Sequence, residues 1–322
     1  MAEGLAGDVP PRRLRTPPLI LMLTLLKQAR SALALLNPEE VRRRAGRPVT
    51  VGLVASSDPA YAGLEDLLAS GGGLREFVFR AGRPNAPERV DLVICEAGVE
   101  VPAGAYALDP AKPGDTLAEI ARQRPDVALA LARRHPVFRR AVVDHTIQTV
   151  AGENALFAVA TALPDVVPNL IEIPWALGEW ASDTTFLTAN QFRMAFLIAA
   201  ACGKPVGFGE QKLEILSIGA GAFGWRALAR ELAGKIPFGG GLIPKGAIAY
   251  AGTYLVGKGL ERLHAGQGRL GRRQRKEIYR QGIEHGRAVA SSALRYGGQQ
   301  RAESGDAEPA SLKARPASEK SV

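Results

Sequence analysis

The sequence predicts an α+β protein in which a small α/β module over residues 49–114 precedes a mainly helical domain over residues 115–265. Strand-like apolar runs occur in the first region, and helical spacing of apolar residues dominates the second. Charge is uneven as well, because residues 1–48 carry a net charge of +5 and residues 258–322 of +7, with −3 between them. We therefore expect basic segments at 1–48 and 266–322 on either side of the folded part.

The first of these segments predicts an amphipathic helix over residues 17–36, which Thr16 and the proline after it would start. The apolar run 19–26 also resembles a secretory signal, but Lys27 and Arg30 interrupt the path to a cleavage site. The helix is the favoured interpretation. Two distant cysteines without ligand-type neighbours fit a reducing cytoplasm.

Two short apolar runs predict strands in the α/β module. Residues 49–54 and 90–94 have the β-branched pattern of buried strands. Glycines at 71–73, together with Pro84 and Pro87, predict loops between the two strands.

Helical spacing predicts the remaining elements. The predicted helices are residues 116–124, 125–134, 142–163, 184–202, 210–233, 245–264 and 272–294. In the helix over 210–233 the apolar residues recur with helical spacing along one stripe: Leu213, Leu216, Ala220, Phe223 and Ala227. From about residue 297 the composition predicts a disordered tail.

Two apolar stretches, residues 154–171 and 236–257, come closest to a membrane span. Pro164 and Pro168 interrupt the first stretch, and Lys245 and several glycines interrupt the second. Kinked apolar hairpins of this kind either dip into a membrane or pack tightly inside a soluble bundle. We favour the soluble bundle, with the membrane hairpin as the alternative.

The helical domain also contains an acidic stretch. Between Arg140 and Arg193 there is no lysine or arginine, but there are six carboxylates: Asp144, Glu153, Asp165, Glu172, Glu179 and Asp183. We expect these carboxylates to pair with arginines of neighbouring helices. A polar groove for a cationic partner or a metal is the alternative.

One glycine pattern is typical of dinucleotide binding. Gly219, Gly221 and Gly224 satisfy G-x-G-x-x-G and are the weak cofactor-binding candidates of this sequence. The acid expected about 20 residues later is missing, and helical spacing continues through the glycines, which favours a helix crossing. The sequence therefore predicts no cofactor and no catalytic or metal-ligating residue.

A second glycine motif, residues 252–259, approaches the phosphate-loop pattern but has Gly259 in place of the magnesium-binding hydroxyl. Ala249, Thr253 and Gly257 recur every four residues and predict a helix-packing face instead. The histidines show no ligand spacing and are expected at the surface or at helix ends: His135, His145, His264 and His285.

Several strings in the helical domain carry a family resemblance. They are residues 131–139, 153–155, 163–169, 187–191, 222–226 and 243–253. Over about residues 120–262 the chain resembles the bacterial domain of unknown function 697. The helical segment of that family often follows an Era-like GTPase domain, and its members tend to be described as membrane-associated. The resemblance implies an architecture rather than a mechanism.

The same resemblance implies a GTPase-like origin for the α/β module. Residues 51–54 are similar to the strand that enters a phosphate loop, and residues 63–68 to the helix that leaves it. Ala55 stands in place of the first glycine, and Ala60-Tyr61-Ala62 replaces the Gly-Lys-Ser/Thr string. We expect a vestigial, degenerate GTPase-like module that binds no nucleotide. A small α/β unit of other origin is the alternative.

These observations predict a non-catalytic bacterial interaction protein, cytoplasmic and associated with the inner membrane, that works at the anionic membrane surface or with a GTPase partner. Residues 269–287 contain seven basic and two acidic side chains, which suits contact with anionic lipid. A nucleotide- or dinucleotide-dependent enzyme using the motif at Gly219 is one alternative. Nonspecific nucleic-acid binding through the basic tail is another, which the single aromatic of the run, Tyr279, disfavours.

Overall fold

The computed structural model describes residues 37–81, 83–84, 87–160, 183–218 and 241–303. The predicted helix over 17–36 and the glycines at 219, 221 and 224 lie outside these residues. The described part has the predicted α+β composition, with one small sheet and many helices.

Four short strands form one parallel sheet in the order β2-β1-β3-β4. The strands are β1 (Val51–Val54), β2 (Val78–Arg80), β3 (Leu92–Glu96) and β4 (Tyr106–Leu108). The two runs predicted as strands become β1 and β3 at the centre, where Val51, Leu53, Leu92 and Ile94 are buried. The sequence did not predict β2 and β4, because each is only three residues long and lies at an edge.

The other main elements of the described part are α-helices. They are α1 (Pro38–Gly46), α2 (Asp58–Ala69), α3 (Gly114–Gln123), α4 (Ala128–Arg134), α5 (Arg139–Ala160), α6 (Asp183–Ala201), α7 (212–218), α8 (Leu242–His264) and α9 (Arg272–Glu303). The last helix continues past residue 297, where the composition predicts a disordered tail, so the predicted helix end at 294 is too early.

One buried core connects the sheet to the helices. Helix α1, within the predicted N-terminal segment, buries Val41 and Ala45 against α4 and α6. Helix α2 packs on β1 and β3, and α3 packs on both β4 and α5. The same cluster of buried side chains includes Leu53 in the sheet and Tyr254 in α8.

Helix α8 lies among α5, α6 and α9 and approaches two of them through glycines. A Cβ atom at Gly257 would lie 2.7 Å from Ile147 in α5, and one at Gly246 would lie 2.8 Å from Val159. Across the other contact, Cβ atoms at Gly282 and Gly286 in α9 would each lie 2.7 Å from a backbone Cα of α8. Residues 242–257, part of a stretch predicted to pack in a bundle or dip into a membrane, are therefore packed among helices. None of the described helices is both long and apolar enough to cross a bilayer.

Helix α7 does not bury the part of the apolar stripe that contains Leu213 and Leu216. Leu213 and Leu216 are 72% and 64% exposed, whereas Ile218 is buried and Ile215 packs against the core. The helix is apolar on both sides, so its periodicity alone does not identify the buried face.

His135 follows the end of α4, as expected of a helix-end residue, but it is fully buried. Its Nδ1 lies 3.2 Å from the carbonyl oxygen of Leu68, and its buried Nε2 has no hydrogen-bond partner among the described residues. Burial lowers the pKa of His135, the hydrogen bond to the Leu68 carbonyl acts in the opposite direction, and the nearby Arg134 lowers the pKa further. The neutral ring therefore fits this site, and a protonated ring does not.

We expect Gly286→Ala to destabilise the fold by about 1 to 3 kcal/mol, because the added methyl would collide with the backbone of α8. Gly152→Ala is the matched control, since a Cβ atom there meets nothing within 4 Å and alanine is the better helix former by about 1 kcal/mol. Urea unfolding followed by circular dichroism measures both. Equal stabilities for the two variants would contradict the packing described here.

Stability is expected to fall as the pH drops below about 6.5, the pKa of an unperturbed histidine. Below that value the unfolded chain binds a proton that folded His135 resists, so protonation favours unfolding. His135→Asn preserves a donor for the Leu68 carbonyl and removes the titrating ring. The free energy of unfolding of the variant, measured between about pH 7.5 and about pH 5.5, should depend less on pH than that of the unaltered chain. An unchanged slope would show that other groups, such as His145 and His264, carry the dependence.

Candidate functional site

The carboxyl ends of the strands are the first place to look for a ligand site, because the sheet order reverses between β1 and β3. Residues 55–57 connect β1 to α2 at this point. Ser57 caps α2 by accepting from the amide of Ala60. Ala60, Tyr61 and Ala62 lie in the first turns of α2 and supply no cation and no hydroxyl suited to magnesium at this turn.

The chain's own carboxylate occupies this turn. Glu96, at the end of β3, accepts hydrogen bonds from the Ser56 amide at 2.9 Å and from the Ser56 hydroxyl at 2.7 Å. The amide and then the hydroxyl lower the pKa of Glu96, so the carboxylate stays ionised. A phosphate at the same amide would displace this carboxylate or be repelled by it.

The second glycine motif is a packing face, as predicted. Residues 252–259 lie inside α8, and Gly257 contacts Ile147 and Met194. The Lys258 ammonium does not face a phosphate loop but pairs with Asp144 and, at 2.9 Å, with Glu261.

A buried polar cluster joins α5, α6 and α8. It consists of Asn154, Gln191 and Thr253, which are buried, and of Asn190, which is half-buried. Asn154 donates to the Thr253 hydroxyl at 2.8 Å and accepts from Asn190 at 3.0 Å. Gln191 donates to the same hydroxyl at 3.3 Å, and Thr253 donates to the carbonyl oxygen of Ala249. These residues lie in strings that carry the family resemblance, and the structure brings them together. These hydrogen bonds give polar groups at the contact of three helices their partners, which is a structural role.

Glu153 pairs with Arg193 of a neighbouring helix, as the sequence predicts, whereas Asp144 pairs with a lysine of a neighbouring helix, Lys258, and, at 3.9 Å, with Arg140 of its own helix. Asp165, Glu172 and Glu179 lie outside the described residues. Within the described ranges, no group of three His, Cys, Asp or Glu side chains is placed to hold a metal ion.

The start of α9 is the most unusual charged surface of the described chain. We call it the basic cluster: Arg269, Arg272, Arg273, Arg275 and Lys276. All five side chains are exposed, and none forms an ion pair with the described part of the chain. Further along the helix, by contrast, Arg280 pairs with Glu277 at 2.7 Å and with Glu284 at 2.8 Å.

The charges of the basic cluster are unfavourable for the helix that carries them. The N-terminus of a helix carries a positive partial charge, so cations there are unfavourable. Arg272 is also three and four residues from Arg275 and Lys276, at spacings where like charges destabilise a helix. The first turn contains no acidic residue. The cluster therefore weakens the isolated helix, and binding of an anion would relieve the repulsion.

A pocket of about 400 Å³ lies beside the cluster, between the end of α8 and the start of α9. Leu270 and Ile278 contribute apolar surface. The charged lining residues of the pocket are of both signs: Lys258, Arg262 and Arg273 are basic, and Glu261 and Glu277 are acidic. The buried Arg262 Nε has no hydrogen-bond partner within the described ranges, although Nη2 donates to the carbonyl oxygen of Gln267 at 3.0 Å. The pocket therefore adjoins the cluster at Arg273, but its own charged lining is mixed.

Comparison of the chain with protein-family models, curated proteins and solved structures finds no match. The resemblance to the helical family and the GTPase-like origin of the sheet therefore stay predictions.

We expect the protein to bind none of GTP, ATP, NAD or NADP in calorimetric titration. The reason is that Glu96 holds the Ser56 amide and hydroxyl, and no lysine follows this turn. Glu96→Gln keeps a hydrogen-bond acceptor and removes the negative charge. Comparing nucleotide binding by this variant and by the unaltered chain isolates the repulsion between Glu96 and a phosphate. A dissociation constant in the low micromolar range for the unaltered chain, about −8 kcal/mol, would contradict the expectation and return the motif at Gly219 to consideration.

Proposed function

We propose that this chain is a non-catalytic interaction protein that binds an anionic membrane surface through the basic cluster. The unpaired charge at the start of α9 carries the proposal, because five exposed cations oppose the helix dipole without an acidic partner among the described residues. Each lysine or arginine near an anionic bilayer contributes about 1 kcal/mol. The family resemblance adds the cytoplasmic side of a bacterial inner membrane as the location.

Membrane lipid fits the basic cluster better than nucleic acid does. Binding of single strands uses aromatic side chains on which bases stack. Within residues 269–287 the single aromatic is Tyr279, which is half-buried. The cluster thus supplies charge without a stacking surface.

The interaction with a GTPase stays a prediction of the family resemblance. The sheet supports it only in general terms, since a small parallel sheet is common to many α/β proteins. The enzyme alternative depends on Gly219, Gly221 and Gly224, which lie outside the described residues.

Neutralising three residues of the basic cluster, as Arg272→Gln, Arg275→Gln and Lys276→Gln together, should weaken binding to anionic vesicles by about a hundredfold at low salt. Vesicles of phosphatidylglycerol and phosphatidylethanolamine, sedimented with the full chain, provide the measurement. Binding of the unaltered protein should fall as salt rises, because ions screen surface charge.

The matched control removes the same charge elsewhere. Arg89, Arg122 and Arg133 are also exposed, and replacing all three with Gln gives the same net charge. This control should bind vesicles almost as the unaltered chain does. An equal loss in both triple variants would mean that net charge, not the basic cluster, drives binding. Tighter binding to a single-stranded RNA than to vesicles at matched salt would favour the nucleic-acid alternative.

A further inference from the structure

The pocket between the end of α8 and the start of α9 combines apolar surface with charged side chains. Its volume of about 400 Å³ lies in the range of small-molecule sites. A Cβ atom added at Gly259 of α8 would lie 3.8 Å from Leu270, so this leucine contacts α8. Ile278 of α9 packs against the core. The fold therefore holds both apolar side chains of the pocket in place.

Both acids of the pocket are already bound by cations of the chain. Glu261 accepts a hydrogen bond from the Lys258 ammonium at 2.9 Å, and Asp144 of α5 binds the same ammonium. Glu277 accepts from Nε and Nη2 of Arg280, at 3.1 and 2.7 Å. These lining residues therefore balance their charge by contacts within the chain.

The remaining polar groups of the pocket are hydrogen-bond donors. Neither Arg262 nor Arg273 forms an ion pair with the described part of the chain. Within the same ranges, the Arg262 guanidinium donates only to the Gln267 carbonyl, and its buried Nε has no partner. Gln274 accepts from the Gly271 amide at 3.0 Å through Oε1, which leaves its amide nitrogen as a donor. The groups without partners thus suit an anion.

We propose that this pocket binds a small, apolar carboxylic acid in its ionised form. The carboxylate accepts from Arg273 and the Gln274 amide, beside the charge of Arg262. The apolar part of the acid packs on Leu270 and Ile278. This inference goes beyond the proposed function, because a dissolved acid reaches the pocket without a membrane.

Two physical arguments select a carboxylate. A planar guanidinium matches a carboxylate through paired hydrogen bonds. Three basic and two acidic residues line the pocket, which gives the lining a net charge of +1. A monoanion balances that charge, whereas the second charge of a phosphate monoester would stay unbalanced beside two carboxylates.

The first experiment titrates hexanoate into the full chain at neutral pH and follows the nuclear magnetic resonance signals of the ligand. Arg273→Gln should weaken binding about tenfold or more, because it removes a charged hydrogen-bond donor from the pocket. Arg272→Gln is the matched control. It removes the same charge from the neighbouring position, but Arg272 does not line the pocket. The control should keep the affinity within about twofold.

The second experiment tests the apolar part of the pocket. Leu270→Ser should weaken hexanoate binding about threefold to tenfold, since part of the hexanoate chain then stays in contact with water. Leu263→Ser is the control, because Leu263 is an exposed leucine of α8 that does not line the pocket. Thermal unfolding followed by circular dichroism establishes that each variant is folded at the temperature of the titration.

Four outcomes would overturn the inference. Absence of hexanoate binding up to about 10 mM would exclude this class of ligand. Equal losses in Arg273→Gln and Arg272→Gln would reveal a general effect of surface charge. Hexanol binding as tightly as hexanoate would mean that apolar contact alone is responsible. Tighter binding of butyl phosphate, lost in Arg273→Gln, would make the ligand a phosphate ester. None of these results changes vesicle binding, so the proposed function is tested separately.

Discussion

Close approach of helix α8 to its neighbours is the constraint on which the helical part depends. Gly246 and Gly257 admit side chains of α5, and Gly282 and Gly286 admit the backbone of α8 against α9. Interhelical contact at this distance leaves no room for a Cβ atom. Each glycine therefore lowers the helix propensity but permits close packing. Because α5 also contacts α3 and α4, the packing of α8 against α5 constrains where these two helices lie. The start of α9, with its basic cluster, is held in place by the same contacts.

Packing by small residues specifies closeness but not register, since a row of glycines and alanines looks similar after a shift of one turn. The buried polar cluster supplies what the glycines lack. Asn154 reaches Thr253 and Asn190 on two other helices, and a shifted helix would bury these groups without partners, at a cost of about 1 to 3 kcal/mol each. Apolar contact thus brings the three helices together, and the hydrogen bonds fix their alignment.

The elements that the sequence predicts correctly are those with a long or strongly periodic signal, such as β1, β3 and α8. Strands β2 and β4 are three residues each, too short for a pattern, and only their neighbours in the sheet define them. The basic cluster is visible in the sequence because charge at the surface needs no knowledge of the fold. The leucines of α7 are the opposite case: Leu213 and Leu216 satisfy the same spacing as a core face, and only the position of Ile215 and Ile218 in the core shows that they point outward. The burial of His135 likewise depends on α2, which is distant in sequence.

The carboxyl end of the sheet and the start of α9 differ in how their positive charge is balanced. At the carboxyl end of the sheet, the amide and hydroxyl that would attract an anion are already bound to Glu96, and Arg80 nearby is paired with Glu65. Positive charge there is neutralised within the chain. At the start of α9 the cations have no ion-pair partner in the described part of the chain, although Glu277 and Glu284 a turn or two away pair with Arg280 on the same helix. This contrast supports the proposed extended anionic partner over a single phosphate. The separation of the five cations along and beside the first turns of one helix fits a surface of many charges, and a bilayer presents such a surface.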